Sequence, residues 1–331
     1  MVCLWHSQDC QLAVYKPNPR QYVATIPQLP GLEVWFQRAS DVVRKIKTGD
    51  VDLGIVGYDM FAELAGDDEG DLIVVHDALD FGHCKLALGI PTSGAFADIS
   101  TLEQLKKMPQ WSESRPLRVV TGYQRIARDF FSMKGFQNVR LVSADGALEA
   151  APAMGSADII LDLVSTGVTL RENNLKEIEG GKVLESQGIL VANRQSLKER
   201  PGLLEVTREL IERFEAHLVA DGYYSVIANM HGDSMEDVAH KLNSAEDLGG
   251  LEGPTISPVY AGRGSKGAVA DGPRAFAAVI CIKKKELYRC VKELRKVGGR
   301  DVLVQPMTYI FDAEPERWRI LQENLGLMGR C

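Results

Sequence analysis

Long apolar runs are missing from this chain of 331 residues. No segment approaches the roughly 18 consecutive apolar residues of a membrane-spanning helix, so a membrane partner is not expected. The segment Met1–Gln11 has neither the apolar stretch of a secretory signal nor the Arg- and Ser-rich composition of a transit peptide. We therefore expect no targeting peptide within the chain as written.

Cysteine is sparse and scattered. The six cysteines form no C-x-x-C pair, which argues against a disulfide framework and against a zinc site. A reducing compartment follows as the simpler expectation. The six are Cys3, Cys10, Cys84, Cys281, Cys290 and Cys331.

An excess of positive charge is also missing. The chain has 38 Lys and Arg against 45 Asp and Glu, a net charge of −7, and no basic stripe is evident. This argues against nucleic acid as a partner. An acidic protein that binds anionic substrates must concentrate positive charge locally, through loop amides, a few basic side chains or a divalent metal.

Strand-like and helix-like segments alternate through most of the chain, which predicts an α/β protein. We expect short strands at Leu12–Tyr15, Tyr22–Ile26 and Glu33–Phe36. The small-residue loop at 90–98 is expected to cross between two lobes, and strands near 182–192 to lead back to the first lobe.

Helices are expected near residues 100–107, with Ser100 or Thr101 as the cap, and over Leu148–Met154. After Asp221-Gly222 the order becomes β-α-β-β-α-β, which is typical of a ferredoxin-like module.

The segment Ile159–Leu170 carries the clearest chemical pattern: a buried strand, an acid, a loop of small hydroxyl residues, then a helix. Loop amides and a helix N-terminus suit a sugar phosphate, and Gly167 allows close approach or a positive φ. Asp162, at the strand end, is placed to hold ribose hydroxyls or a metal. The alternative is an ordinary strand followed by a helix that Thr166 or Thr169 caps.

Four segments together resemble the ATP phosphoribosyltransferase family in its long, regulated form. The match runs through the whole of Glu149–Leu170 and extends over roughly residues 10–325, and it is nearest to plant, plastid versions. The supporting segments are Asp52–Gly57, Asp80–Leu86 and Gly253–Pro258.

The resemblance implies a two-lobed catalytic unit like type II periplasmic binding proteins, plus a C-terminal ferredoxin-like α+β domain that binds histidine as feedback inhibitor. It places lobe I at 1–91 and 190–219, lobe II at 92–189 and the regulatory domain at 222–331. It also implies a hexamer, with a dimer as alternative, and a plastid location for the full-length product. The implied reaction joins adenine N1 of ATP to C1 of phosphoribosyl pyrophosphate, with Mg²⁺ present and pyrophosphate released.

The same resemblance implies roles for particular residues. Asp162 and, less directly, Glu149 would face the ribose hydroxyls or their Mg²⁺, although Glu149 also suits a plain helix N-terminus. For Asp158 we expect a strand-edge or solvent-facing acid. The residues assigned to the 5′-phosphate of phosphoribosyl pyrophosphate are Ser165, Thr166, Gly167, Val168 and Thr169.

Other roles carry open alternatives. Thr121 and Tyr123 would lie near the nucleotide, with Tyr123 stacked on the base or instead serving as a core or lobe-interface aromatic. Lys85 would neutralise pyrophosphate or be an ordinary surface lysine, and His83 is expected to be structural or solvated. In the last domain, Leu251 and Thr255 would line the inhibitor site or simply form a loop and a strand edge.

One departure from the family concerns the start of the chain. The family begins with a strand and a Lys-Gly-Arg type loop, whereas similarity here begins near Asp9. We therefore hypothesise that the chain as written has weakened or no activity. Two alternatives to an active enzyme remain: a non-catalytic two-lobed binder, and a regulatory paralogue that binds histidine.

Overall fold

The structure is a computed structural model, and it describes residues 10, 12–66, 70–144, 146–245, 248, 250–260 and 275–327. The chain forms two compact units. Unit 1 comprises residues up to 211 together with those from 316 onward, and unit 2 is Glu212–Pro315. Among the described residues, no helix combines the length and the apolar character needed to cross a bilayer.

The elements alternate as the sequence predicts. In chain order they are β1 Val23–Thr25, β2 Glu33–Trp35, α1 Ala39–Thr48, β3 Leu53–Gly57, α2 Tyr58–Ala65, β4 Leu72–His76, β5 Cys84–Pro91, α3 Leu102–Lys106, β6 Leu117–Thr121, α4 Gln124–Met133, β7 Val139–Ser143, β8 Ile159–Val164, α5 Val168–Glu172, β9 Leu175–Lys176, β10 Lys182–Ser186, β11 Gly188–Asn193, α6 Arg194–Glu199, α7 Leu203–Asp221, β12 Tyr223–His231, α8 Met235–Asn243, β13 Thr255–Val259, β14 Ala275–Lys283, α9 Leu287–Lys296, β15 Arg300–Pro306 and α10 Glu316–Leu325.

The first lobe of unit 1 is the three-stranded sheet β3–β11–β4 with helices α1 and α2. The central strand β11 runs antiparallel to both neighbours. Val43 and Ile46 lie one turn apart on α1 and are fully buried with Phe61 of α2 and Ile189 of β11. This apolar face, at helical spacing, is what fixes α1 on the sheet.

The second lobe of unit 1 is a six-stranded sheet of order β10–β5–β8–β6–β7, with β9 paired to β5. Strand β6 lies parallel to β7 and β8, whereas β5 runs antiparallel to β8 and β10. Leu88, Leu117 and Ile159 are fully buried in its core. Thr101 caps α3 in a capping box with Gln104, as expected for one of the two candidate caps.

The lobe boundary differs from the expected residue 91. All of β5 belongs to the second sheet, since Lys85 to Gly89 pair with β8. The crossing therefore lies between β4 and β5 rather than in the loop at 90–98. On the return, β10 adds to the second sheet and β11 to the first, close to the expected position.

Two local expectations are wrong. Of the strand predicted at Leu12–Tyr15, only a single bridge from Tyr15 to Thr25 forms. The helix predicted over Leu148–Met154 is a 3-10 turn at Leu148–Ala150 followed by further turns. Pro152 has no amide hydrogen to donate to a longer helix, which explains why the helical turn stops.

Unit 2 contains the predicted β-α-β-β-α-β order. Its sheet is β13–β14–β12–β15, antiparallel throughout, and α8 and α9 supply buried Val238, Leu242 and Leu294 to its core. The expected regulatory domain at 222–331 extends too far, because α10 belongs to unit 1. Trp318, Leu321 and Leu325 bury its apolar face there.

Candidate functional site

A cavity of about 750 Å³ lies in unit 1 where the two lobes meet. Both lobes contribute to its wall, together with the start of the loop that follows β8. A cavity of this size accommodates a small phosphorylated ligand. The polar residues of the wall are Tyr58, Asp77, His83, Cys84, Lys85, Ser165, Glu185, Ser186 and Gln187.

The loop after β8 has the backbone that the phosphate hypothesis requires. Gly167 adopts φ +70° at the start of α5 and has no side-chain cap, so neither Thr166 nor Thr169 caps this helix. Ser165, Thr166 and Thr169 are exposed. Within the described residues, none of the hydrogen bonds outside regular elements starts from an amide of residues 165–169. The amides are thus available to an anion.

Asp162, in the strand before this loop, lies close enough to Glu149 to be influenced by its charge. Asp162 is half-buried, and one carboxylate oxygen accepts the Leu163 amide at 2.8 Å. Burial raises the pKa of Asp162 and the charge of Glu149 adds to that rise, while the Leu163 amide opposes it. Paired carboxylates of this kind can accept hydrogen bonds from neighbouring sugar hydroxyls or share a cation.

Lys85 lies on the cavity wall but already has a partner. Its ammonium nitrogen is 2.7 Å from a carboxylate oxygen of Glu177, with both side chains about one-third exposed. Glu177 also lies close to Gly167. An anion at Lys85 would therefore compete with this carboxylate.

Thr121 and Tyr123 are buried rather than exposed on the cavity wall. The Thr121 hydroxyl accepts the Tyr123 amide at 2.9 Å. The Tyr123 hydroxyl donates to Asp59 at 2.7 Å, so this ring lies at the lobe interface, as one of the two sequence alternatives had it. Burial, together with the charge of Asp59, raises the pKa of the phenol far above its usual value.

Asp59 is the residue that sequence reasoning missed. It is buried in the first turn of α2, and its second carboxylate oxygen accepts the Ser186 hydroxyl at 2.5 Å. A Cβ at Gly57 would collide with this carboxylate, so glycine is needed there for space. Burial and the charge of Asp59 raise the pKa of the neighbouring Cys84 thiol. In sequence, Asp59 looks like an ordinary helix N-terminal acid.

Two further residues considered from the sequence are His83 and Asp158. His83 is exposed and 2.8 Å from Asp80, consistent with a structural or solvated role. Asp158 directly precedes β8, which fits the strand-edge alternative rather than the solvent-facing one. It binds the Arg118 guanidinium through two hydrogen bonds of 2.9 and 3.2 Å, and it accepts the Arg118 amide as well. It is a structural acid.

In unit 2, the two residues expected at an inhibitor site are both at the surface. Leu251 is exposed in the irregular segment before β13, and Thr255 is exposed as the first residue of β13. Gly250, beside Leu251, adopts φ +65° against the backbone of β14.

The architecture defines a protein that joins a two-lobed α/β unit to a ferredoxin-like unit. A family model described as ATP phosphoribosyltransferase matches residues 38–216, and one described as HisG, C-terminal domain matches residues 220–309. The chain therefore belongs to the ATP phosphoribosyltransferase family of transferases, whose reaction is the first step of histidine biosynthesis.

Two plant relatives agree with this assignment. Two Arabidopsis thaliana proteins, ATP phosphoribosyltransferases 1 and 2, both named chloroplastic, are each 56% identical to the chain over 320 residues. Those 320 residues are 97% of this chain and 77% and 76% of the two relatives. A solved ATP phosphoribosyl transferase complex of HisG and HisZ from Thermotoga maritima covers 63% of this chain and 90% of its own, with 20% identity and a TM-score of 0.49.

Proposed function

We propose that this chain condenses ATP with 5-phosphoribosyl 1-pyrophosphate, joining adenine N1 to the anomeric carbon and releasing pyrophosphate. Family membership supports the reaction. The observation that carries its location is the loop at 165–169, which has free amides and follows directly on β8, the strand that bears Asp162. Displacement at an anomeric carbon passes through an oxocarbenium-like state, so the protein must hold the sugar, neutralise the leaving group and orient the nucleophile.

In this proposal the loop grips the 5′-phosphate. The amides of Thr166 to Thr169 lie at the start of α5, where Gly167 supplies a positive φ. The hydroxyls of Ser165, Thr166 and Thr169 add donors. Such contacts leave the anomeric carbon free to project toward the cavity.

Asp162 and Glu149 would hold the ribose hydroxyls. Two carboxylates suit Mg²⁺ as well, since this ion is commonly held by one or two protein carboxylates together with substrate phosphates. Among the described residues, no cluster of three or more His, Cys, Asp or Glu forms a complete protein cage for a metal. When bound, Mg²⁺ would neutralise charge on the pyrophosphate.

The nucleotide would enter from the other side of the cavity. Thr121 and Tyr123 are assigned to its neighbourhood, with Tyr123 acting from its buried position at the lobe interface. Lys85 would release Glu177 and bind pyrophosphate in its place. Adenine N1 carries no proton, so the attack needs no general base.

Regulation and assembly complete the proposal. Unit 2 would bind histidine as feedback inhibitor near Leu251 and Thr255. The chain would act as a homo-oligomer, a hexamer or an active dimer, in the plastid, where its Arabidopsis relatives are named as resident.

Pyrophosphate release tests the reaction. We expect release only when ATP and phosphoribosyl pyrophosphate are both present. Asp162→Asn removes a charge that faces the ribose and should lower kcat/KM for the sugar substrate at least 100-fold. Glu172→Gln, on the exposed end of α5, is the matched control and should keep wild-type rates. Release from either substrate alone, or equal rates for both variants, would contradict the proposal.

A further inference from the structure

The two lobes of unit 1 cap each other's helices. Helix α4 of the second lobe begins at Gln124, and its N-cap Tyr123 makes no side-chain capping bond. The cap comes from the first lobe: the Glu63 carboxylate accepts the Arg125 amide at 2.9 Å and the Ile126 amide at 3.0 Å. A carboxylate at a helix N-terminus satisfies free amides and complements the helix dipole.

Arg125 in turn contacts the C-terminal end of a first-lobe helix. Helix α2, which carries Glu63, has no basic residue in its last turn. The Arg125 guanidinium donates to the backbone carbonyl of Glu63 at 3.1 Å and to that of Ala62. It also pairs with Asp129 of its own helix at 3.2 Å. A cation from the second lobe thus satisfies carbonyls at the C-terminal end of a first-lobe helix.

These contacts lie beside the candidate site. The first turn of α2 carries Asp59, whose carboxylate binds Tyr123 immediately before α4. Helix α2 therefore meets the second lobe at both its ends, through Asp59 and through Glu63. Any rotation that separates the lobes would expose the free amides of one helix and the free carbonyls of the other at the same moment.

We propose that Glu63 and Arg125 are positioning residues that latch the two lobes in the arrangement that forms the substrate cavity. Neither residue is on the cavity wall, so both act through α2 and α4 rather than by touching substrate. Closed lobes keep the reacting groups of the two substrates aligned, and they exclude water. Positioning of the lobes contributes to the reaction rate through these two effects. The kinetic part of this inference rests on the proposed transferase reaction.

Hydrogen exchange measures the latch directly. In the wild-type chain, the amides of Arg125 and Ile126 should be protected despite their place in the first turn of a helix. Glu63→Ala should speed their exchange at least tenfold, and Arg125→Ala should have the same effect through lobe opening. Glu63→Gln keeps one acceptor oxygen, so its exchange rates should fall between those of the wild-type chain and those of Glu63→Ala. Arg128→Ala, exposed on the same helix, is the matched control and should leave exchange unchanged.

Steady-state kinetics provide the second measurement. Glu63→Ala and Arg125→Ala should raise KM for both substrates about tenfold with a smaller change in kcat, and Glu63→Gln should restore part of the loss. Unchanged exchange in both alanine variants, verified as folded by circular dichroism, would overturn the latch. A wild-type chain without turnover would contradict the proposed function alone, because the exchange experiment needs no substrate.

Discussion

At the scale of single residues, Asp59 connects distant parts of unit 1. Its buried carboxylate accepts hydrogen bonds from Tyr123 and Ser186, which lie 64 and 127 positions away in the chain. Three segments of unit 1 thus meet at one side chain. A buried carboxylate is stable only while such partners are present.

Replacing Asp59 should therefore be costly. Asp59→Ala leaves two buried hydroxyls without their acceptor, and we expect a loss of about 2–4 kcal/mol in the free energy of unfolding. Tyr123→Phe keeps the ring and removes one bond, so its cost should be about 1 kcal/mol. Urea unfolding measures both. Equal stability of the Asp59→Ala variant and the wild-type chain would show that the two hydrogen bonds do not support the fold.

His76 gives the fold a pH dependence. Its side chain is fully buried, Nδ1 accepts the Ala78 amide at 3.3 Å, and Nε2 has no hydrogen-bond partner within the described part of the chain. Burial lowers its pKa to about 3, and the charge of Arg317 contributes, against an opposing effect of Asp77. The folded state therefore keeps this histidine neutral where the unfolded state is protonated.

The sign of the effect follows from this difference. Below pH 6.5 the unfolded chain binds a proton that the folded chain does not, so stability falls as the pH falls toward 3. Between pH 7 and 5 the contribution should be about 2 kcal/mol. Urea unfolding at pH 7 and at pH 5 measures this loss of stability. His76→Leu should remove the contribution of His76, whereas His83→Gln, at an exposed site, should not. The same pH dependence in His76→Leu would contradict the assignment.

Single residues also mark the limit of prediction from sequence. The phosphate loop, Asp162 and Gly167 are contiguous, so their pattern is visible in the chain. Asp59, Ser186 and Glu63 acquire their roles from partners more than 60 residues away, and local sequence carries no signal for such contacts. Tyr123 could be placed at the lobe interface only as an alternative.

At the scale of elements, regular periodicity predicted most strands and helices, including the order within unit 2. Predictions were wrong where contacts between distant residues determine which sheet or unit an element joins. Strand β5 reads as a continuation of the first lobe, yet it pairs with β8 of the second sheet. The expected regulatory domain includes residues 316–325, yet these form α10 and belong to unit 1.

That helix, α10, lies outside both family matches and should stabilise unit 1. Trp318 is buried there beneath the Arg208 guanidinium, and Arg317 donates to Asp77 of the cavity wall at 2.6 Å. Trp318→Ala should cost about 3–5 kcal/mol in unfolding of unit 1. Ile320→Ala, on the exposed side of the same helix, should cost far less. Similar urea midpoints for the two variants would show that α10 is dispensable.

The loop after β8 should respond to backbone strain. Gly167→Ala places a side chain at φ +70° and within 3.2 Å of Arg171, so the loop must change shape. We expect affinity for phosphoribosyl pyrophosphate to fall at least tenfold by titration calorimetry, with a stability loss of about 1–2 kcal/mol. Gly155→Ala, at φ +72° in open space, carries the same backbone cost and should leave affinity unchanged. Equal affinities in both variants would place the phosphate elsewhere.

At the scale of the whole molecule, the proposed chemistry and the proposed regulation fall in separate units. The proposed sugar-phosphate loop and cavity lie in unit 1, and the proposed histidine site lies in unit 2. The family assignment came from contiguous motifs, which is why sequence alone was sufficient for it. Assembly depends on surfaces that meet only between copies, and a single chain carries little information on these.

A regulatory variant should separate the two functions. Thr255→Ala should weaken inhibition by histidine at least tenfold while pyrophosphate release without histidine stays at the wild-type rate. Tyr288→Ala, exposed on α9, serves as control within the same unit. If Thr255→Ala and the wild-type chain were inhibited at the same histidine concentration, the inhibitor site would lie elsewhere.

A crystal structure of the chain with phosphoribosyl pyrophosphate tests the central claim most directly. We predict density for the 5′-phosphate within hydrogen-bond distance of the amides of Thr166 to Thr169, with the ribose hydroxyls facing Asp162. Density for the sugar away from this loop, with those amides bonded to other protein atoms, would contradict the account.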